Sequence, residues 1–225
     1  MSKKFITRVT RSKNDSMQFY NKISRIYDVS EGYFERKYIQ KGVDELSVQR
    51  DANVLEIGIG TGEGVLTFAR RVGPSGKVYG VDIAKGMLEV TEKKLRKKNI
   101  NQHVELICAD AVHLPFKERF FDSVFLSFTL ELFDTPDIPR VLSECFRVLK
   151  NNGRLEVVSL SKKNYTTMVK MYEWLHTLFP RMLDCRPIYV TEALQDAGFR
   201  IVNSSVVSMW GLSVEIVLGE VSKVL

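Results

Sequence analysis

The sequence predicts an α/β protein with one seven-stranded sheet, mostly parallel with one reversed strand, helices on both faces and an N-terminal helical lid. Three observations lead there. From residue 53 onward, short apolar runs alternate with helical patterns and are separated by glycine, proline and asparagine, as in βαβ units. The first run ends in a glycine turn, Val54-Leu55-Glu56-Ile57-Gly58-Ile59-Gly60-Thr61-Gly62. The last two runs are joined through Trp210-Gly211-Leu212 and read as an antiparallel hairpin.

The elements follow in order. Residues 18–49 read as one or two helices, with Phe19, Ile23, Ile26, Tyr27 and Tyr33 apolar, placed across the opening of a site. Parallel strands are expected at 53–59, 77–83, 103–109, 122–128 and 154–160. The helix before the fifth strand carries Ile138, Val141, Leu142, Cys145, Phe146 and Leu149 at helical spacing, has Pro139 in its first turn, and should end at Asn151-Asn152-Gly153. From 165 to 179, Met168, Met171, Tyr172, Leu175 and Phe179 keep one helical face, which either covers the sheet edge or lines an apolar pocket. A helix at 191–197 then leads into strands at 199–208 and 213–219.

At 225 residues the chain suits a single domain. Residues 1–50 form its arm and lid, and 51–225 its core, with a substrate-side insertion at about 161–190. No apolar run reads as a signal peptide or a membrane span, so a soluble, cytoplasmic protein is expected. Cys108, Cys145 and Cys185 are odd in number and far apart in apolar contexts, which fits a reducing compartment and excludes a disulfide framework. His103, His113 and His176 have no ligand spacing with cysteines or acids, so no metal is expected.

The formal charge of +6 and pI near 9.2 leave room for an anionic partner. One basic cluster, Lys93 to Lys98, closes a helix where cations suit the negative end of the dipole, and it reads as a solvated helix end. The other is the N-terminal arm, with Lys3, Lys4, Arg8, Arg11 and Lys13. It leaves open a tail or a peripheral membrane contact.

The glycine turn carries the chemistry. A dinucleotide fingerprint needs Gly-x-Gly-x-x-Gly, and here Glu63 stands where its third glycine belongs, although Gly64 follows. A carboxylate there would repel a pyrophosphate. Two more acids close successive strands, Asp82 in Val81-Asp82-Ile83-Ala84 and Asp110 in Ala109-Asp110-Ala111. Asp82 lies about where an acid accepts hydrogen bonds from both ribose hydroxyls, and ligands of such sheets bind at the carboxyl ends of the strands.

The pattern Glu-x-Gly-x-Gly-x-Gly from Glu56 to Gly62 resembles motif I of class I S-adenosylmethionine-dependent methyltransferases, a Rossmann-like fold. Tyr20-Asn21-Lys22-Ile23-Ser24-Arg25-Ile26-Tyr27-Asp28, Leu114-Pro115-Phe116 and Phe146-Arg147-Val148-Leu149-Lys150 are similar to the type 11 group, and closest to the ubiquinone/menaquinone biosynthesis C-methyltransferases. The resemblance implies S-adenosylmethionine as cofactor. It implies Glu56 near the methionyl amine, Gly58, Gly60 and Gly62 beneath the ligand, Asp82 on the ribose, and Ile83, Met87 and Ala111 around adenine. Asp110 would then take the adenine amino group, with Tyr27 and Ser127 also approaching the cofactor.

For the acceptor the resemblance implies less. Where the quinone enzymes carry Phe-Gly-Leu-Arg-Asn, this chain has Phe128-Thr129-Leu130-Glu131-Leu132, which reverses a charge beside the reacting centre. Glu131, Tyr172, His176 and Arg186 are the candidate substrate contacts, Arg186 suiting an anionic head group. Methyl transfer is an in-line displacement at an activated sulfonium that depends mostly on positioning, and no catalytic base is assigned. The expected acceptor is a small hydrophobic or amphipathic molecule: quinone-like, lipid or isoprenoid. The alternatives are an RNA or other nucleic-acid methyltransferase, and a non-catalytic cofactor-binding protein. Against the first, Ser127-Phe128-Thr129-Leu130 lacks the Asn/Asp-Pro-Pro-aromatic motif of base-amino methylating enzymes.

Overall fold

The structure is a computed structural model that describes residues 6, 8, 9, 11–163 and 185–222, and for 25–34 the backbone alone. Its seven strands are β1 (Asn53–Ile57), β2 (Lys77–Asp82), β3 (Val104–Cys108), β4 (Phe121–Ser127), β5 (Leu149–Leu160), β6 (Phe199–Met209) and β7 (Leu212–Val221). They form one sheet in the order β3-β2-β1-β4-β5-β7-β6. Strands β1 to β5 pair in parallel, and β7 runs antiparallel to both β5 and β6, so β7 is the one reversed strand. The hairpin turn works because Trp210 and Gly211 both take positive φ, 51° and 84°, the conformation that a two-residue hairpin link demands.

Helices cover both faces, each over its own apolar core. On one face α4 (Ile138–Val148) and α5 (Val190–Asp196) pack Val141, Leu142, Cys145 and Leu194 against Leu55, Ile57, Leu126 and Val157. On the other, α1 (Lys13–Leu46), α2 (Glu63–Arg71) and α3 (Lys85–Lys97) set Tyr38, Leu46, Phe68 and Leu95 against Val54, Phe125, Val158 and Ile216. Two sequence boundaries move. Helix α4 stops at Val148 because Leu149 is already extended and pairs with Phe121, so β5 starts five residues before the expected 154. The lid is one helix, and it starts at Lys13, not 18. Ser12 sets that start: its Oγ accepts from Asp15 N at 3.2 Å, closing the first turn with an acid at the positive end of the dipole.

Cys145 is buried in α4 as expected, whereas Cys108 at the end of edge strand β3 is exposed. Among the described residues no helix is long and apolar enough to cross a membrane. The apolar stretch at 165–179, most of the expected insertion, and with it Tyr172 and His176, lies outside the described residues.

Candidate active site

Parallel strands share a carboxyl edge, and four of them empty into one cavity there. Its floor is the glycine turn after β1, Gly58 to Thr61, with Glu56 below it, and its walls come from Asp82, Ile83 and Met87, from Ala109 to Ala111, and from Ser127 to Thr129. Gly60 carries φ +50° and faces this space directly, so a side chain there would be both strained and in the way of a ligand. Gly58 is also on the wall, while Gly62 stands behind it as the N-cap of α2, packed on Thr91. The loop's own carbonyls are held from α3, where Thr91 Oγ1 donates to Gly60 O at 3.2 Å and Lys94 Nζ to Thr61 O at 2.8 Å. Lys94 therefore turns inward from a cluster that reads as solvated in sequence.

Of the three strand-end acids, Glu56 is the buried and partly unsatisfied one. Glu56 is 1% exposed, its Oε2 has no hydrogen-bond partner, and burial holds its carboxyl well above the usual range. Gly64 explains itself here: a Cβ on it would lie 2.3 Å from Glu56 Oε1, so this glycine makes room for the carboxylate and is no remnant of a phosphate loop. Gly64→Ala is expected to lower stability by about 1–3 kcal/mol through overpacking. The double variant with Glu56→Ala should recover most of that loss in a thermal melt.

Asp82 bridges two loops, accepting from Gly60 N at 3.1 Å and from Ala84 N at 2.8 Å. Burial raises its carboxyl to about 6 despite those bonds. Asp110 accepts from Val112 N at 3.1 Å through Oδ1, and Lys13 Nζ lies 2.9 Å from Oδ2. Met87 is 1% exposed and borders the cavity beside Ile83.

Helix α1 lies along the cavity and is fastened at both ends of it. Asn21 Oδ1 accepts from Gly86 N at 2.7 Å, and Arg36 Nε donates to Glu63 Oε2 at 3.0 Å. Glu63 thus serves as an anchor for the lid. Ser16, Tyr20, Glu35 and Ile39 of this helix border the cavity, which sequence reasoning missed although each pair is spaced by four residues, one helical face. Tyr27 lies on α1, and its side chain is outside the described residues.

The acceptor candidates sit elsewhere. Leu132 and Phe133 line the cavity, but Glu131 and Arg186 do not; they are 0% and 1% exposed behind that wall. Glu131 Oε1 accepts from Leu160 N at 3.1 Å, its Oε2 has no hydrogen-bond partner, and burial raises its carboxyl to about 7. Arg186 Nη2 donates to Phe133 O while Nε and Nη1 have no hydrogen-bond partner, and burial lowers the guanidinium to about 10. The two attract each other electrostatically, and the arginine braces the wall through a main-chain carbonyl.

Residues 8–185 match the ubiE/COQ5 methyltransferase family. The chain belongs to that family. It is an S-adenosylmethionine-dependent methyltransferase. The demethylmenaquinone methyltransferase of Listeria welshimeri is 30% identical over 224 aligned residues, covering 86% of this chain and 92% of that enzyme. The enzyme of the same name from Lactobacillus johnsonii is 33% identical over 147 residues, 65% of this chain and 58% of its own length. Among solved structures the [4+2]-cyclase SpnF superposes with a TM-score of 0.77 at 16% identity, covering 96% of this chain and 98% of that one. That likeness shows the fold. It also illustrates that this fold does not dictate a reaction.

For a methyltransferase the cavity's chemistry is coherent. S-adenosylmethionine has no phosphate, and its cationic ammonium and sulfonium fit a buried acid with an unpartnered oxygen such as Glu56. Three acids at three strand ends offer acceptors along its length.

Proposed function

We propose that this methyltransferase binds S-adenosylmethionine across the ends of β1, β2 and β3 and passes its methyl group to a small, predominantly apolar acceptor of the quinol type. In this reading Glu56 receives the methionyl ammonium, Asp82 the ribose hydroxyls, and Asp110 the adenine amino group. Ile83, Met87 and Ala111 flank the ring, Ser127 and Tyr27 stand beside the cofactor, and Gly58 and Gly60 let the backbone approach it, while Gly62 caps α2 behind them.

The observation that carries the acceptor class is the far wall of the cavity. Past the acids it runs between Ile39, Phe128, Leu132 and Phe133, a surface suited to a ring or an aliphatic tail and unsuited to a nucleic-acid backbone. The names of the two relatives support a quinol ring. Glu131, where the quinone enzymes carry arginine, is turned away from the cavity and faces Arg186, so the reversed charge is not presented to the acceptor. The enzyme's part in the displacement is to hold acceptor and methyl in line at about 3 Å and exclude water, which supplies most of the acceleration.

The test is transfer of labelled methyl from S-adenosylmethionine to a reduced demethylmenaquinone analogue, to phospholipid vesicles and to total RNA. Label in the quinol alone is expected. Label in RNA alone would move the enzyme to the nucleic-acid class, and label in lipid alone would replace the ring by a head group.

A further inference from the structure

We infer that Glu35 is the general base of the transfer, taking the hydroxyl proton of the acceptor so that a ring carbon can attack the methyl group. The inference rests on the quinol reading above. A neutral quinol is a weak carbon nucleophile, and its ring carbon becomes reactive as the hydroxyl oxygen gives up its proton to a positioned base. That chemistry asks for a carboxylate at the acceptor end of the cavity.

The acids closest in sequence to the Leu132–Phe133 wall are committed elsewhere. Glu131 is turned behind the wall, with Oε1 on Leu160 N. Asp134 follows Phe133 on the cavity, but Arg8 grips both of its oxygens, with Nε at 2.8 and 2.9 Å and Nη2 at 2.6 Å, and Val9 N donates to Oδ1 at 3.0 Å. That grip holds its carboxyl at about 2, too acidic to accept a hydroxyl proton efficiently. Asp137 lies 3.6 Å from Lys13 Nζ and 3.3 Å from Arg140 Nη1.

Glu35 comes to the cavity from α1. It is half-buried and, among the described residues, the only carboxyl of that helix on the cavity. Its neighbours say which end it serves. Glu35, Tyr38 and Ile39 share one helical face, at spacings of three and four. Ile39 borders the cavity along its apolar wall, and the Tyr38 ring meets Phe128 of the same wall edge-on, centroids 6.4 Å apart. The turn of α1 that carries Glu35 therefore faces the acceptor end, whereas the earlier turn with Asn21 meets Gly86 beside Met87.

That turn is also held in rotation. Arg36 Nε donates to Glu63 Oε2 at 3.0 Å, Tyr38 Oη to Ser208 O at 2.7 Å, and Arg71 Nη1 to Val43 O at 3.0 Å. A base must be fixed within hydrogen-bond reach of the proton it takes, and these contacts to α2 and β6 fix the helix on both sides of Glu35.

The step balances without a further reagent. Glu35 takes the hydroxyl proton, the oxygen's electron pair moves into the ring, the ring carbon bonds to the methyl carbon, and sulfur keeps the electron pair of the broken S–C bond. The ring carbon then loses its own hydrogen as a proton to water, which restores the aromatic ring, and Glu35 returns its proton to the oxygen. One methyl enters the ring and one proton leaves.

The test is the pH profile of kcat with a reduced demethylmenaquinone analogue, for the wild type, Glu35→Gln and Glu35→Asp, with a melt and a calorimetric titration of S-adenosylmethionine on each. Glu35→Gln is expected to fold and bind the cofactor as the wild type does and to lose about a hundredfold or more in kcat near neutrality. Its residual rate should climb about tenfold per pH unit toward ionisation of the acceptor's own hydroxyl, while the wild type stays flat over that range. Glu35→Asp, a carboxyl on a shorter arm, should recover part of the loss with a flat profile, and it carries the comparison if Glu35→Gln does not fold. A Glu35→Gln rate equal to the wild type's overturns the role. So does a loss by the same factor at every pH, the mark of a residue that only shapes the wall. A wild-type chain that binds S-adenosylmethionine and leaves the quinol unlabelled overturns the acceptor reading, and the role of Glu35 falls with it.

Discussion

Asp82→Ala is expected to weaken S-adenosylmethionine binding tenfold or more, about 1.4 kcal/mol, while the chain stays folded. The carboxylate does two jobs in the geometry. It ties the Gly60 and Ala84 amides together and presents its remaining lone pairs to the cavity between them. Alanine removes the proposed acceptor for the ribose and frees both loops. Acid should mimic part of this. With its carboxyl raised to about 6, Asp82 protonates below that pH and loses acceptor capacity, so ligand affinity should fall by about fivefold from pH 6 to pH 5. Chain stability moves the other way. The folded state binds this proton more tightly than the unfolded chain, so the group destabilises the fold above pH 6 and ceases to do so as pH falls toward the ordinary carboxylate range. Calorimetric titration at three pH values, with a melt at each, separates the two trends. An Asp82→Ala protein with unchanged affinity would remove Asp82 from the ribose site.

Glu156→Met is expected to stabilise the protein at pH 8 by on the order of 3 kcal/mol, since it removes a carboxyl whose burial has no compensation. Glu156 is 0% exposed in the middle of β5, flanked in register by Phe125 and Leu218, and neither carboxylate oxygen has a hydrogen-bond partner. Burial, helped by the nearby Glu45 charge, pushes it up to about 9. A folded-state value above the unfolded one means that the folded chain holds the proton longer. Wild-type stability should therefore decline as pH rises from the ordinary glutamate range, 4.5, toward about 9 and level off beyond. Glu56, Glu131 and Asp82 are shifted in the same direction, so the variant keeps a slope and shows a shallower one. Urea unfolding at pH 5, 7 and 9 measures it, and parallel curves for the two proteins would show that Glu156 is solvated. Nothing in the structure explains why a glutamate occupies this position.

The parts of the site that could be read from sequence share one property: each is fixed by local backbone geometry. A glycine turn that follows an apolar run, and acids at the ends of two more, lie at one sheet edge whenever the strands are parallel, so Glu56, Gly60, Asp82 and Asp110 are grouped before any packing is known. Strand and helix boundaries followed where a cap or turn residue stood in the chain. Two boundaries did not: the lid helix begins after the Ser12 cap and not at 18, and from Leu149 to Gly153 Asn-Asn-Gly imitates a helix stop. There the pairing of Leu149 with Phe121 overrides the local signal.

Side-chain direction was the missing information elsewhere. Glu131 and Arg186 are polar residues near the acceptor end in sequence, and in space they turn behind the Leu132–Phe133 wall toward each other. Gly64 looks like a misplaced fingerprint glycine until the Glu56 carboxylate is seen lying against it. Lys94 and Lys13 are indistinguishable from solvated lysines until Thr61 O and Asp110 are placed beside them.

The sequence by itself determined the fold class, through its alternation of apolar runs and helical patterns, and the cofactor, through the resemblance of its glycine turn and strand-end acids to motif I of the methyltransferases. The tertiary structure decided which face of α1 borders the cavity, which charged groups neutralise one another, and that Arg8 and Lys13 pair with Asp134 and Asp110 at the cavity. Those outcomes depend on distances between residues such as Arg8 and Asp134, which are 126 positions apart in the chain and 2.6 Å apart in space. No local pattern encodes such a distance. It is set by how the whole sheet twists and by what its helices bury.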